Sequence, residues 1–507
     1  MKIALNAAPS DKKRQQTSRF LFFFKVLSIL FILILVLITS SKSFDFFSYL
    51  KLKGIQGPAF RSNPSAYVSA ILTHTPKSLL SRSEIKNLNI DIKFDDWQTL
   101  MKYKEESINN GMIGDAEKIY LKGSISYDGN NVPAKLRLKG DWTDHLLGKK
   151  LSLRFKLEDD NFISGMNKFS IQSPTTRDFQ GQLIIDKMLG EFNIITPRNF
   201  LVRTKINGND IGLMFLSEHF SKELLENSKR KESVIIKFDE TELWKSRLNN
   251  KIYEADEFSA KITAFGMDRV MNDERLYDDY TTATGLLRGF LSQRMKAHDV
   301  FDVKKMGDFL AINDLWGESH GLIWHNLRFY FNPISVKLEP IGFDQMLYHT
   351  PETLDMPIDS IASSKFIDKI RNNGFIKLVY IKTLKELKNN LQDPDYFNDY
   401  VDFDNSNEKI LRKEFFLKPP PLLQNNNLLS RLDSLITNAT DSVIHMKSFR
   451  GNLAWAVNPR NHSKVVDLIY GVNVIKANMF NGDFYKYGLS NLGLENANHG
   501  YILEKNS

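Results

Sequence analysis

The 507-residue sequence contains no cysteine. That absence excludes a disulfide scaffold, a cysteine nucleophile and any metal or iron–sulfur site held by thiolates. The sequence also lacks a phosphate-binding P-loop, the G-x-G-x-x-G dinucleotide fingerprint and the H-E-x-x-H metalloprotease motif. No internal repeat is visible. The short motifs that assign a reaction class directly are therefore missing.

Positive charge is in only modest excess over negative charge. The chain has 68 Lys and Arg against 60 Asp and Glu, which gives a net charge of +8. With 42% hydrophobic and 25% charged residues the composition is globular, which excludes a wholly disordered or collagenous chain. The positive charge is spread along the chain and partly flanks an apolar segment. It therefore does not indicate nucleic-acid binding.

One apolar run near the N-terminus is long enough to cross a bilayer. From Phe20 to Ile38 only Lys25 and Ser28 interrupt it, and roughly 20 such residues in a helix span the hydrocarbon core. Basic residues are more numerous before the run than after it, which predicts a cytoplasmic N-terminus and an extracytoplasmic main domain at the cell membrane. An uncleaved anchor is favoured over a cleaved signal peptide, because no A-x-A site follows the run.

The remaining sequence predicts an α+β protein. Residues alternate with period two in Lys135–Lys139 and Leu151–Lys156, whereas an apolar helical stripe runs from Phe375 to Leu387. A β-rich half followed by a helical half suggests a cleft between them. The predicted segments are a basic cytoplasmic N-terminus (1–19), a transmembrane helix (20–40), a stalk (41–88), a β-rich N-lobe (89–238), a helical C-lobe with a candidate metal site (239–450) and a tail of short strands (451–507).

Basic residues recur on the two predicted strands of the first polar region. Arg137 and Lys139 share one face of the first strand, and Arg154 lies on the second, which follows Lys149 and Lys150. Neighbouring basic strands can hold phosphate groups, lysine acting as a point charge and arginine as a fork. A solvated strand face is the alternative interpretation.

The second polar region contains a predicted hairpin turn at Asn207-Gly208 and ends in Glu218. Its carboxylate is placed either to cap the following helix or to pair with a lysine of the first region.

The third polar region runs from a helix that ends near Trp316 to Asp344. A polar loop leads to a strand from Leu327, and a second strand ends at Asp344. Asn326 and Asp344 are thus expected at one end of a hairpin, where their oxygens suit Mg²⁺ that holds phosphates. The alternative is that both residues only cap turns.

The loop of the third region also matches G-x-S-x-G at Gly317–Gly321. The nucleophile elbow of α/β-hydrolases needs a strand before this motif and a helix after it, and here the predicted order is reversed. A serine hydrolase acting through Ser319 is therefore disfavoured.

The order of the three regions resembles the CotH (spore coat protein H) family of atypical protein kinases, in its membrane-anchored bacterial form. The resemblance covers roughly residues 90–350. It rests on Arg137–Asp141, Asn207-Gly208, Glu218–Phe220, His325-Asn326 and Pro340–Asp344. It implies a two-lobed atypical protein-kinase-like fold, with a β-rich N-lobe and a helical C-lobe, after one N-terminal transmembrane helix.

The resemblance also implies a reaction. A CotH-like kinase would transfer the γ-phosphoryl group of ATP, with Mg²⁺ or Mn²⁺, to Ser or Thr of proteins in the periplasm or at the cell surface. The implied roles are phosphate contacts for Lys150 (or Lys149) and Arg154, a nucleotide-pocket position for Glu218, and metal ligation by Asn326 and Asp344.

The sequence departs from the family pattern at two places. Phe343–Met346 stands where the family often has Trp-Asp-x-Asp, so the second acid is absent. The family also has an Asp in the loop that here contains Glu318 and His320, which leaves these two residues as candidates for the catalytic base. The alternative function is a non-catalytic member that acts in envelope or surface assembly by binding.

Overall fold

The computed structural model describes residues 53–54, 64–114, 118–141, 143–146, 148–248, 256–318, 320–346, 365–419, 423 and 427–440, together with five strands between 443 and 505. The predicted N-terminus at 1–19 and transmembrane helix at 20–40 lie outside these residues. Among the helices that are described, none is both long and apolar enough to cross a membrane.

Strands are numbered in chain order over the described residues. They are β1 (Asn87–Ile92), β2 (Leu121–Tyr127), β3 (Asn130–Leu138), β4 (Leu153–Leu157), β5 (Lys168–Gln172), β6 (Asn199–Ile206), β7 (Asn209–Glu218), β8 (Ile235–Phe238), β9 (Ile262–Ala264), β10 (Arg328–Asn332), β11 (Lys337–Pro340), β12 (Val443–Phe449), β13 (Asn452–Ala456), β14 (Val465–Tyr470), β15 (Asn473–Asn478) and β16 (Gly500–Lys505).

The α-helices of the same part of the chain are numbered likewise. They are α1 (Pro64–Leu80), α2 (Phe94–Asn110), α3 (Gly181–Glu191), α4 (Lys222–Asn227), α5 (Thr241–Leu248), α6 (Met267–Met271), α7 (Glu274–Leu291), α8 (Ala297–Val300), α9 (Val303–Leu315), α10 (Lys365–Arg371), α11 (Gly374–Gln392), α12 (Pro394–Leu411) and α13 (Asn427–Thr440). Short 3₁₀ turns lie at Thr143–Leu146, Pro174–Arg177 and Trp324–Asn326.

Strands β1 to β7 close into a barrel in the order β1-β2-β3-β4-β5-β7-β6. Its neighbours are antiparallel except β1 and β6, whose parallel pairing from Asn87↔Arg203 to Ile90↔Ile206 closes the ring. The hairpin turn predicted at Asn207-Gly208 is confirmed, because it joins β6 to β7. Both of its residues have positive φ, which glycine adopts freely and asparagine tolerates.

Apolar side chains that alternate along the strands fill the barrel. On β3 the side chains of Val132, Ala134, Leu136 and Leu138 are buried, and the side chains that alternate with them are more exposed. The ring of Phe155 on β4 stacks on Phe169 of β5, with ring centroids 5.3 Å apart. The outward face of β3 and β4 is left for polar side chains.

The closed barrel shows that the predicted two-lobed kinase-like fold is wrong. Alternation with period two indicates that a segment is a strand, but it does not specify the partner of that strand. Closure depends on the pairing of β1 with β6, which lie far apart in sequence. Strands lie where alternation predicted them, at β3 and β4, whereas helix α2, inside the segment predicted to be β-rich, and the topology were not predicted.

A second, four-stranded antiparallel sheet has the order β11-β10-β8-β9. The hairpin β10–β11 is the one predicted between Leu327 and Asp344. At its end Gly342 N donates a hydrogen bond to Ile195 O at 2.8 Å, and Ile341 bridges to Ile195 in parallel. These contacts fix the end of β11, and hence Asp344, beside the chain that enters β6.

Helix α9 crosses the centre of the helical region. Its cap is Asp302, whose carboxylate accepts from Lys305 N at 2.8 Å, and it ends before Trp316 as predicted. Residues Met306 to Leu315 are buried between α11, α3 and β11. The tail strands form a five-stranded sheet in the order β13-β12-β16-β14-β15.

The substitution Phe155→Ala tests the barrel core. The substitution removes a fully buried ring, which leaves a cavity, and it also removes the stacking on Phe169. We therefore expect the free energy of unfolding to fall by about 3–5 kcal/mol. Denaturant titration of the full chain measures it. The control Phe94→Ala, at a ring that is 73% exposed, should change it by less than about 0.5 kcal/mol. Equal losses would contradict the assigned core.

Candidate active site

A cavity of about 1310 Å³ lies between the rim of the barrel and the four-stranded sheet. Its lining is more basic than acidic. The basic side chains are Lys118, Arg137, Lys139, Arg154, Arg177, Lys237, Lys245 and Arg328, and the acidic ones are Asp141, Glu218, Asp239, Glu240 and Asp344. A cavity with this excess of positive charge attracts anions.

The register of β3 and β4 sets Arg137 directly opposite Arg154. Like charges in opposed positions destabilise a sheet unless an anion lies between them. Burial is the larger cause, and the charge of Arg137 the second, that lowers the pKa of Arg154 to about 10. The guanidinium therefore remains charged at neutral pH. Among the described residues Arg154 makes no ion pair, and its buried Nε has no hydrogen-bond partner. A buried donor of this kind is one that an anion or an ordered water would satisfy.

Lys139 and Arg177 stand beside this pair. The Lys139 ammonium donates a hydrogen bond to the Gln172 side chain, and burial, followed by Arg177 and Arg154, holds the pKa of Lys139 well below its ordinary value. Arg177, from the 3₁₀ turn after β5, forms an ion pair with Asp344. The barrel rim and the second sheet are therefore joined electrostatically across the cavity.

Arg328 supplies a fixed cation from the sheet side. Its Nη1 donates to the carbonyl of His325 at 2.6 Å and to that of Leu327 at 3.0 Å. Its guanidinium lies over the rings of Phe343 and Phe265, at 5.0 and 5.7 Å from their centroids. In the described part of the chain its Nε has no hydrogen-bond partner. The side chain is thus held in place with one donor still unused.

Asp344, Asn326 and His320 meet at the end of the hairpin. His320 Nδ1 lies 2.8 Å from Asp344 O, 3.8 Å from Asp344 Oδ2 and 3.3 Å from Asn326 Nδ2, which also donates to His320 O at 2.9 Å. Burial alone would raise the pKa of Asp344, but Arg177, His320 and Lys139 outweigh it and keep that pKa below its ordinary value. Asp344 is therefore a carboxylate at neutral pH.

Asp344 and Asn326 fit a divalent cation only if phosphate and water supply most of its ligands. Within the described ranges no group of three or more His, Cys, Asp or Glu side chains is arranged to hold a metal ion. One carboxylate and one amide, however, are a donor set that Mg²⁺ uses when it is shared with substrate phosphates.

Glu318 lies behind the cavity wall and does not line it. Its carboxyl oxygens accept from the N–H groups of Gly321, at 2.9 and 3.1 Å, and of Met346, at 2.9 Å. Burial raises the pKa of Glu318 to about 8, against the lowering effect of these N–H donors. The group ties the loop that carries His320 to the segment that follows Asp344.

Of the three remaining residues predicted from the sequence, one lines the cavity and two do not. Glu218 lines the cavity, but its carboxylate pairs with Arg198 rather than with a lysine of the first region. Lys149 is exposed and outside the lining. Lys150 is also outside it, because its ammonium pairs with Glu414 at 2.8 Å and donates to the carbonyl of Leu213 at 2.6 Å.

Several lining residues were given no site role from the sequence, among them Arg177, Arg328, His145 and His219. A basic residue at the start of a strand, such as Arg328, is a weak signal on its own. Arg177 comes from a turn that no periodicity indicates. The two histidines are half-buried next to cations, and desolvation, followed by Lys139 for His145 and by Arg154 for His219, holds their pKa values well below the ordinary range.

Comparison with known proteins adds no relative. No model of a known protein family matches the chain, and no curated protein matches it. The CotH resemblance therefore stays a prediction from short motifs, and the function has to be argued from the cavity.

The substitution Glu318→Gln tests the buried carboxyl group. Its pKa is about 8 in the folded chain and near 4.5 when unfolded, so the contribution of this group to wild-type stability is full below about pH 4.5 and is lost as the pH rises to about 8. The slope from this group is at most about 1.4 kcal/mol per pH unit. Unfolding midpoints between pH 5 and 8 should depend less on pH in Glu318→Gln. The exposed control Glu226→Gln should retain the wild-type dependence, and a retained slope in Glu318→Gln would contradict the assignment.

Proposed function

We propose that the protein is a kinase at the cell membrane, which transfers the γ-phosphoryl group of ATP to Ser or Thr of extracytoplasmic proteins. The observation that carries the proposal is Arg154. It is a charged guanidinium with a buried, unbonded Nε, opposite Arg137, in a cavity whose other wall carries Asp344 and Asn326. The nucleotide and the protein acceptor come from the CotH resemblance.

Phosphate oxygens match the donors of this cavity. Arginine binds phosphate through two N–H groups at once, and Arg154 and Arg328 each hold an Nε without a partner among the described residues. A triphosphate would also offset the repulsion between Arg137 and Arg154. The volume of about 1310 Å³ exceeds the roughly 300–1,000 Å³ of ordinary ligand pockets, which leaves space for an acceptor segment beside a nucleotide.

A divalent cation would be held by Asp344 Oδ2 and Asn326 together with phosphate oxygens, and it would neutralise charge that develops on the transferred group. The acceptor hydroxyl oxygen forms a bond to the γ-phosphorus while the bond from that phosphorus to the bridging oxygen breaks, and ADP leaves. Positioning and positive charge supply most of the catalysis in such a transfer. Arg154 and Arg328 provide that charge.

His320 is the better placed of the two candidates for the base. A carbonyl oxygen only accepts, so the contact to Asp344 O assigns the proton to His320 Nδ1 and leaves Nε2 as an acceptor. His320 lines the cavity, whereas Glu318 does not. The proton of the acceptor hydroxyl would therefore pass to His320 Nε2.

One observation favours the second candidate function, a non-catalytic protein that binds anionic groups in envelope or surface assembly. Arg177 already engages the Asp344 carboxylate, which is the proposed metal ligand. In that case the basic wall would bind phosphate or another anion, and no transfer would follow.

The substitution Arg154→Gln tests anion binding. Losing a hydrogen-bonded charge costs about 1.5–3 kcal/mol, so the affinity for ATP should fall roughly 10- to 100-fold. Calorimetric titration of the full chain in detergent, with Mn²⁺, measures it. Lys156→Gln, two residues further along β4 and exposed, is the matched control and should bind as the wild type does. Equal affinities in the two variants would contradict the assigned phosphate site.

The substitution Asp344→Asn separates the two functions. With γ-labelled ATP and Mn²⁺, the wild type should transfer label to protein hydroxyls, and the variant should lose at least about 100-fold of the rate because the metal ligand is neutralised. If the wild type binds ATP in a way that depends on Arg154 but transfers no label, the non-catalytic binding protein is favoured. Unchanged transfer in Asp344→Asn would contradict the proposed metal site.

A further inference from the structure

Helix α1 is packed with its small and polar side inward. Ala70 and Ser78 are buried, as is Thr75, whose Oγ1 donates to Phe416 O at 3.1 Å. The neighbour in this packing is α12. A surface helix of a globular protein ordinarily turns its large aliphatic side chains to the core, whereas in α1 only Ile71 of the large aliphatic side chains is even half-buried.

Three exposed aliphatic side chains of α1 form one stripe, which borders the packed face of the helix at the buried Thr75. Val68, Leu72 and Leu79 are 52%, 57% and 60% exposed. Their spacing of four and seven residues keeps them on one face of a helix. Leu80 extends the exposed apolar surface at the end of the helix. A contiguous exposed apolar stripe is a candidate contact surface for an apolar partner.

The chain next to the predicted membrane anchor is attached beside this helix. Lys53 O accepts from Leu417 N at 3.0 Å, and its ammonium lies 5.8 Å from the ring centroid of Phe416, the residue that Thr75 also contacts. The apolar run ends at Ile38. The residues between it and Lys53 reach about 50 Å when fully extended, which limits how far α1 can lie from the bilayer.

The charge of this surface suits anionic lipid. Helix α1 contains no acidic residue, and it carries Lys77 in its last turn. Arg82, just after the helix, is exposed. Basic residues near a bilayer are attracted to negatively charged headgroups, and an exposed apolar stripe beside them inserts at the boundary between headgroups and acyl chains.

We propose that the stripe of Val68, Leu72 and Leu79 is a membrane-docking surface. Helix α1 lies in the interface of the leaflet that faces the domain, its stripe among the acyl chains and Lys77 and Arg82 at the phosphates. The domain is thereby held against the bilayer in one orientation rather than swinging on its tether. The inference is independent of the reaction proposed for the cavity.

The absence of cysteine permits a direct test. Leu72→Cys, labelled with a polarity-sensitive nitrobenzoxadiazole dye, is reconstituted as the full chain into vesicles of phosphatidylethanolamine and phosphatidylglycerol. Lipids brominated along the acyl chains should quench this dye severalfold more than a dye at Thr73→Cys, exposed on another side of α1, or at Met271→Cys, exposed on α6. Leu79→Cys gives a second reading of the stripe in case one variant fails to fold.

Three results would overturn the proposal. Equal quenching of the dyes at Leu72→Cys and Met271→Cys would show that α1 does not lie in the bilayer interface. If the full chain does not co-float with the vesicles, the protein does not associate with the membrane and α1 cannot dock on it. A disulfide-linked dimer of Leu72→Cys without lipid quenching would assign the stripe to a second copy of the chain.

Discussion

Two arginines that oppose each other on neighbouring strands govern the chemistry of this protein. The register of β3 with β4 brings Arg137 against Arg154 at the rim of a closed barrel. Apolar residues of the same strands fill the barrel, so the register cannot slip by one residue without turning leucines outward. The repulsion between the arginines is thus fixed by the core. A bound anion would relieve it, and for this reason we propose that the rim is a binding site rather than a solvated face.

The opposite wall of the cavity balances this charge only in part. Asp344 pairs with Arg177 and stays ionised, while Arg328 is held over aromatic rings. Glu318, behind the wall, is protonated up to a pH of about 8 and connects the two loops that carry His320 and Asp344. The geometry of the acidic end therefore depends on a carboxyl group that itself lies outside the cavity.

Local features of the fold could be predicted from the sequence, and long-range ones could not. Alternation along two segments predicted the basic strands of Arg137 and Arg154, and the hairpin pattern predicted that Asn326 and Asp344 would lie close together. The parallel pairing that closes the barrel was missed because periodicity does not identify a strand's partner. Lys150 was predicted to contact phosphate, yet its ammonium forms an ion pair with Glu414, a residue distant in sequence.

The measurement that tests the account most directly is the Nε–H resonance of Arg154 in the full chain labelled with ¹⁵N-arginine. Its assignment follows from loss of the signal in Arg154→Gln. If the cavity binds phosphate groups through its unbonded donors, inorganic pyrophosphate should shift this resonance and slow its exchange with water. A resonance that stays unchanged at saturating pyrophosphate and ATP would contradict the account, because the buried donor would then serve no anion.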